Sequence, residues 1–413
     1  MESSPVLSGG VQDWRPKSGH FDAMLRGVGG GAMNSTVWAL ILFGLAFASG
    51  LLFFHPYLWY PLSLSLFRRQ PVMIDVTAPL PSATLVFCAY NEAKSMPEKI
   101  DNLRRIQAKL PALKFACYVD RSTDATLEIL RTEQDFITVV AAEERTGKAV
   151  GMGVLARSAG TEVMIFTDAN VLVEPEHVTR LLQYFSDPAI GAVAGHLIYT
   201  NSNDSEMATT SSAYWRMEEW VKRRESRSGS TMGADGSLFA SRLALYPEVP
   251  SHLLDDFIVS MSVIFAGRRL VSAPEVHAYE RTAVSSHDEF RRKRRIACRA
   301  YSSHRHLWPK VARLKPSDLY KYISHRLIRW YTGLLAASTL LFLSASIAIG
   351  FGFLQLLIFL LAFAAVMALA LTTRIPVLSH LGAAAKLVVA NTLGIFDSWA
   401  GRTYQTWQPP PSR

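Results

Sequence analysis

The sequence predicts an α/β sheet domain carried between membrane-crossing helices. Three observations predict it. Residues 36–67 form an apolar stretch without Asp, Glu, Lys or Arg, residues 331–373 form a second, and short β-branched runs alternate with amphipathic helical segments between them. Alternation of that kind places helices on the faces of a mostly parallel sheet. A chain of 413 residues, 49% hydrophobic, is large enough for more than one folding unit.

Taken in order, residues 1–35 read as a flexible N-terminus. The Gly-rich run 27–32 loosely matches a dinucleotide fingerprint, but no strand precedes it, so it reads as linker. The first apolar segment, VWALILFGLAFASGLLFF (37–54), is long enough to cross a bilayer and lacks the pattern of a cleaved signal peptide. Trp38, Tyr57, Trp59 and Tyr60 sit near its ends as an aromatic belt, and Pro56 and Pro61 end or kink the helix. As one helix the second apolar block would run about 65 Å at ~1.5 Å per residue, roughly twice a ~30 Å hydrocarbon core. Two spans with a break at 350–352 are therefore expected. Residues 378–396 are weaker, because they carry Lys386, and either span the membrane or lie in its interface. Arg68, Arg69, Arg326, Arg329 and Arg374 flank the polar middle and place it on the cytoplasmic side. Arg326-x-x-Arg329-Trp330 abuts the second block and reads as an interfacial anchor, within an interfacial segment 311–330; the C-terminal membrane region is 331–400 and the tail 401–413.

Within the middle, strands are expected at 84–89, 115–119, 137–140, 163–167 and 190–194, with helices at 98–109, 125–131, 147–156 and 175–185. Ligands of such sheets bind beyond the carboxyl ends of the strands. There lie Tyr90-Asn91-Glu92, then Asp120 to Asp124, then Asp168-Ala169-Asn170: three acid-bearing turns on one edge. Alone, Asp168 could be a turn residue, a helix cap or half of a metal site, and one such turn by itself would be an ordinary loop. Asp255 and Asp256 stand inside an apolar stretch, as an N-cap or as a base whose pKa burial raises. The basic run 289–299 reads as a membrane-facing helix or as a diphosphate clamp.

A net charge of +9 favours anionic partners. The basic residues cluster near membrane segments and no reading motif appears, so nucleic acid is not expected. Three cysteines, Cys88, Cys117 and Cys298, have no metal-ligand spacing and imply no disulfide framework. Arg145-Thr146-Gly147-Lys148 lacks the earlier Gly and the hydroxyl of a P-loop. The segment 211–227 reads as an amphipathic helix bearing Trp215, Glu218 and Trp220.

In order, FCAYNEAK (87–94), VDRSTD (119–124), RTGKA (145–149), TDAN (167–170), GADGSLFASR (233–242), LDDF (254–257) and EFRRKRRI (289–296) form a set. With these motifs the chain resembles the membrane-anchored glycosyltransferases of family 2, the group with a GT-A fold that includes cellulose, chitin and hyaluronan synthases, and looks closest to bacterial exopolysaccharide-type transferases. The resemblance covers about residues 80–330. It implies a GT-A catalytic domain, Rossmann-like, at 80–310, with transmembrane helices at both ends.

The resemblance also implies roles. Ala89, Glu92, Asp120 and Asp124 would line the nucleoside pocket, and Lys148 would lie near the base or diphosphate. Asp168, with Asn170, would stand at a Mg²⁺ or Mn²⁺ ion holding the donor diphosphate. Asp256 would be the catalytic base, Arg292 and Arg295 would lie below the donor, and Asp235, Gly236 and Trp215 would border the acceptor. A nucleotide-sugar donor, expected to be UDP-linked, and a lipid-linked saccharide or polysaccharide acceptor follow, with inversion at the anomeric carbon. Membrane lipids and other polysaccharide-assembly proteins are the further partners, and the bacterial inner membrane the expected location. Two departures matter. Asn170 stands where the family has a second Asp, and Arg292-x-x-Arg295-Ile296 stands where it has Gln-x-x-Arg-Trp. These departures favour addition of one residue over a processive synthase of poly-N-acetylglucosamine type, and they leave room for a non-catalytic nucleotide-sugar-binding protein.

Overall fold

The structure is a computed structural model describing residues 34–200, 206–281, 286–373 and 375–407, without the side chains of 206–215, 286, 288 and 376. The run 27–32, Arg374 and the Trp215 side chain fall outside the described residues.

Helix α1 (Ser35–Phe54) is capped by the Asn34 side chain, which accepts from the Thr36 N–H, and ends before Pro56. Helix α2 (Trp59–Ser63) follows at once. The sheet domain then alternates β1 (Ala83–Ala89), α3 (Met96–Lys109), β2 (Lys114–Val119), α4 (Thr126–Arg131), β3 (Ile137–Ala141), α5 (Lys148–Ser158) and β4 (Val163–Thr167). These β-branched and aromatic runs are buried along nearly their whole length, as parallel strands covered on both faces must be. The two-residue β5 (Leu172–Val173), α6 (Pro175–Gln183), β6 (Ile190–Tyr199), α7 (Glu206–Arg227), β7 (Leu238–Arg242), α8 (Asp255–Phe265) and β8 (Arg269–Glu280) complete it.

Among the described residues the sheet order is β3-β2-β1-β4-β7-β6-β8-β5. β3, β2, β1 and β4 are parallel; β7 runs antiparallel to β4 and β6, and β8 is parallel to β6. One face buries Leu85, Phe87, Leu103, Ile106, Ile165 and Leu181 under α3 and α6. The other buries Val86, Met152, Leu155, Phe166 and Phe239 under α5 and α8, with the Phe166 and Phe239 rings stacked at 4.3 Å.

Helix α9 (Ser286–Val311) leads through α10 (Pro316–Tyr322), a π turn (Ile323–Leu327) and α11 (Ile328–Trp330) to α12 (Thr332–Phe351), α13 (Phe353–Thr372) and α14 (Pro376–Trp399). Gly352, at φ 99°, breaks α12 from α13. Among the described residues four helices are long and apolar enough to cross a membrane: 35–54, 332–351, 353–372 and 377–399. Their outer faces expose Leu40, Phe43, Phe47, Leu354 and Leu361, surface that a hydrocarbon layer would cover. α1 lies against α12, where Ser346 donates to the Ala39 carbonyl at 2.7 Å.

One sequence reading fails here. Trp330, expected at the membrane interface, is only 8% exposed and packs against Phe257, Tyr301 and His304. Arg329 pairs with the buried Glu218 at 2.5 Å, and Arg326 donates to the Met232 carbonyl at 2.6 Å. A buried partner for each residue explains the departure: the segment joins the membrane helices to α8 from inside.

Candidate active site

The first two acid-bearing turns lock to each other. Asn91 and Arg121 both have φ 53°, and the Asn91 side chain accepts from the Thr123 N–H at 2.8 Å. Burial pulls the Asp124 carboxyl up, but the Thr126 hydroxyl and then the Ala93 and Thr126 N–H groups (3.0 Å each) donate to it and hold it below the ordinary value. Glu92 is buried, its own N–H bonded to Thr126 Oγ1, and the Ala89 carbonyl accepts from the Asp120 N–H at 2.9 Å. Asp120 is fully buried and accepts from the N–H groups of Thr146 (2.7 Å) and Gly147 (3.1 Å) and from Arg145 Nε (3.1 Å). Asp120 thus fixes the loop that presents Lys148, and its oxygens face protein donors.

The third turn, at the end of β4, is held from beneath. Lys99 of α3 is 1% exposed, and its Nζ donates to the carbonyls of Val171 (2.7 Å) and Asp168 (3.2 Å). Burial pulls its ammonium down to about 7, with Asp168 pulling the other way. Asn102, one turn on, bonds both backbone groups of Val173. Nothing in the sequence separated Lys99 from the other polar residues of an amphipathic helix.

Held so, Asp168 keeps a side chain 35% exposed, and Lys148 Nζ donates to its Oδ1 at 2.6 Å. Burial alone would lower the Lys148 pKa; Asp168, then Asp255, outweigh it and raise it. Asp256 stands in the first turn of α8, its Oδ1 accepting the Phe257 N–H at 2.6 Å. Burial first, then the neighbouring Asp255, push its carboxyl up to about 7, against Lys148. Gly236 lies between these groups: a Cβ there would sit 2.8 Å from Asp256 Oδ2 and 3.5 Å from Lys148 Nζ. The missing side chain is what lets the Asp256 carboxyl and the Lys148 ammonium share one space. Asp235 turns its oxygen back to Ser237, whose N–H donates at 3.0 Å.

Asn170 donates its amide to Glu280 Oε1 at 3.2 Å, which leaves its carbonyl oxygen as the group it offers a cation. Among the described residues no cluster of three His, Cys, Asp or Glu could hold a metal by itself. Two hard oxygens, from Asp168 and Asn170, are of the kind that would suit a divalent cation. Arg292 pairs with Glu289 at 3.5 Å; burial opposes its charge, but Glu289, Tyr199, Glu280 and Asp235 raise its pKa. Arg292 is therefore within electrostatic reach of Glu280 and Asp235, and Arg295 is half-buried on the same helix.

A strap unforeseen in the sequence closes over the loop at Arg145. After α14 the chain turns at Gly401, and residues 402–407 cross to the loop at Arg145. Arg145 Nη2 donates to the Trp407 carbonyl at 2.7 Å, while its guanidinium lies 3.2 Å over the Tyr90 ring. The Trp407 ring meets Tyr90 edge-on at 6.1 Å, and the Gln405 carbonyl lies where a Gly147 Cβ would be. The strap is rooted at buried Asp397, which accepts from Arg402 and Tyr404 (3.0 Å each) and from Arg294 (2.6 and 2.7 Å). Tyr404 and Trp407, aromatic residues in a Pro-rich tail, were the available signal.

Residues 84–249 match the model of the family described as Glycosyl transferase family 2. An N-acetylglucosaminyltransferase of Rhizobium leguminosarum bv. trifolii is 25% identical over 132 residues, 30% of this chain and 72% of that protein. The mannosyltransferase PcManGT from Pyrobaculum calidifontis, solved with GDP-Man and Mn²⁺, is similar with a TM-score of 0.68 at 21% identity, over 86% of this chain and 99% of that one. At that identity the likeness is one of fold, and it agrees with the α/β architecture expected from the sequence.

Proposed function

We propose a reaction for this chain, which is a glycosyltransferase of family 2 with a GT-A domain: inverting transfer of one sugar from a nucleotide donor, UDP-linked, to a lipid-linked acceptor. The observation that carries it is the meeting of Asp168, Lys148 and Asp256 around Gly236, beyond the carboxyl end of β4. Asp256, with a pKa near neutrality, takes the proton of the acceptor hydroxyl. Lys148 holds the diphosphate side and keeps Asp256 from drifting further toward its neutral form. Asp168 and the Asn170 carbonyl would hold a divalent cation, which neutralises charge growing on the departing diphosphate. The turns at Ala89, Glu92, Asp120 and Asp124 shape the nucleoside wall, Arg292 and Arg295 flank the donor, and Asp235, Gly236 and Trp215 border the acceptor. With the basic flanks of its spans inside, the chain works at the cytoplasmic face of a bacterial inner membrane, beside other exopolysaccharide-assembly proteins.

The test is a panel of radiolabelled nucleotide sugars given to membranes holding the full chain, with lipid-extractable product scored with and without Mg²⁺ or Mn²⁺. A UDP-sugar giving single addition, dependent on the cation and lost in Asp168→Ala, is expected. A ladder of long chains would replace single addition by processive synthesis; no transfer from any donor would overturn the reading.

A further inference from the structure

A second cleft, of about 540 Å³, opens at the far end of α8. It is separate from the catalytic centre: Asp256 stands in the first turn of that helix and Phe265 is its last residue, about 14 Å further on at ~1.5 Å per residue. Its walls carry Arg268, Arg269, Lys310, Arg313 and Lys315 against one carboxylate, Asp318. Arg269 is committed to the wall, donating to the carbonyls of Gln70 (2.9 Å), Pro71 (3.1 Å), Ser226 (3.0 Å) and Gly229 (3.2 Å). Lys315 lies 3.4 Å from Asp318. Arg268, Lys310 and Arg313 are exposed at the rim, with Arg268 also donating to the Pro188 carbonyl and Lys310 lying 5.9 Å from the Phe265 ring. Nothing in the proposed transfer reaction uses this charge.

The place of the cleft says what fills it. Helix α2 and the turn after it bury Tyr60 and Leu64 but expose Trp59 (49%), Leu62 (55%) and Leu66 (87%) at helical spacing. Such a stripe, continuous with the apolar α1, lies in a membrane interface. Gln70, a wall of the cleft, is four residues beyond Leu66, hence within about 14 Å of the stripe even for an extended chain. Trp308, 41% exposed, stands beside Lys310 as an interfacial aromatic beside a basic residue does. We propose that this cleft binds the phosphate of an anionic phospholipid headgroup, which seats the catalytic domain on the membrane surface.

The full chain, delipidated in neutral detergent, is titrated with phosphatidylglycerol or phosphatidylcholine and bound lipid is counted by native mass spectrometry. The wild type is expected to prefer phosphatidylglycerol by about tenfold, and the exposed pair Lys310→Gln/Arg313→Gln to lose that preference while unfolding at an unchanged temperature. Lys310→Arg keeps it, because the charge is kept. Undiminished preference in the double variant overturns the proposal. So does inorganic phosphate that binds the wild type and displaces phosphatidylglycerol at equal concentration, since the site would then read a soluble anion.

Discussion

Replacing Asp256 by Asn separates the base from everything else around it. The variant's amide oxygen keeps the bond from the Phe257 N–H, so α8 retains its first turn; only the ionisable oxygen beside Gly236 changes. In the wild type burial and then Asp255 lift the carboxyl from 3.8 to about 7. At ~1.36 kcal/mol per pH unit, holding Asp256 ionised costs the fold about 4 kcal/mol at most. A carboxyl raised on folding contributes its stability below the unfolded value, and that stability is lost as pH rises through the folded one. The loss in the wild type therefore begins above pH 4 and is complete just above pH 7, and the Asp256→Asn variant escapes it. Thermal unfolding in detergent should show the variant gaining on the wild type between pH 5 and pH 8, by a few kcal/mol. Turnover should fall about 10²- to 10⁴-fold with donor affinity nearly unchanged, while wild-type kcat/KM declines about tenfold per pH unit below about pH 7. Full turnover by the variant, or a stability difference that ignores pH, would refute the assignment of Asp256 as a base of raised pKa.

Gly236→Ala should lower kcat at least about tenfold without unfolding the chain, because its methyl meets Asp256 Oδ2 at 2.8 Å; steady-state kinetics beside a thermal melt decide it. Lys99→Met keeps the volume but strips donors from the carbonyls of Asp168 and Val171, and should cost roughly 1–3 kcal/mol in unfolding and weaken donor binding by titration. Arg145→Ala releases the strap from Tyr90 and Asp120, and should raise donor KM about tenfold with kcat little changed; the reverse pattern would place Arg145 in the chemical step.

What the sequence made legible follows from how each part is encoded. β1 to β4 are short apolar runs closed by polar turns, and such strands declare themselves locally. β8 does not: it carries Pro274 and Glu275 in mid-strand, both exposed, and its pairing with β6 slips at Ala194/His196. Asp120 and Asp168 look alike in sequence, an acid after a strand. Only the three-dimensional count of donors separates the saturated Asp120 from the partly exposed Asp168. Lys99 hid because a helical stripe gives no sign of which lysine points inward. Trp330 misled because an Arg-Arg-Trp cluster beside a span reads as an anchor until Glu218 and Phe257 are found behind it.

The strap from Gly401 to Trp407 bears on how the protein is handled. Its backbone is stitched to Arg145 and pressed on Gly147, while its root at Asp397 belongs to the last apolar helix. A fluorescent protein or affinity tag joined just beyond Trp407 would load a segment that is bonded to the Arg145 loop. The same cargo ahead of α1 joins the chain at a helix that lies against α12 and not at the Arg145 loop, so a reporter belongs on that side.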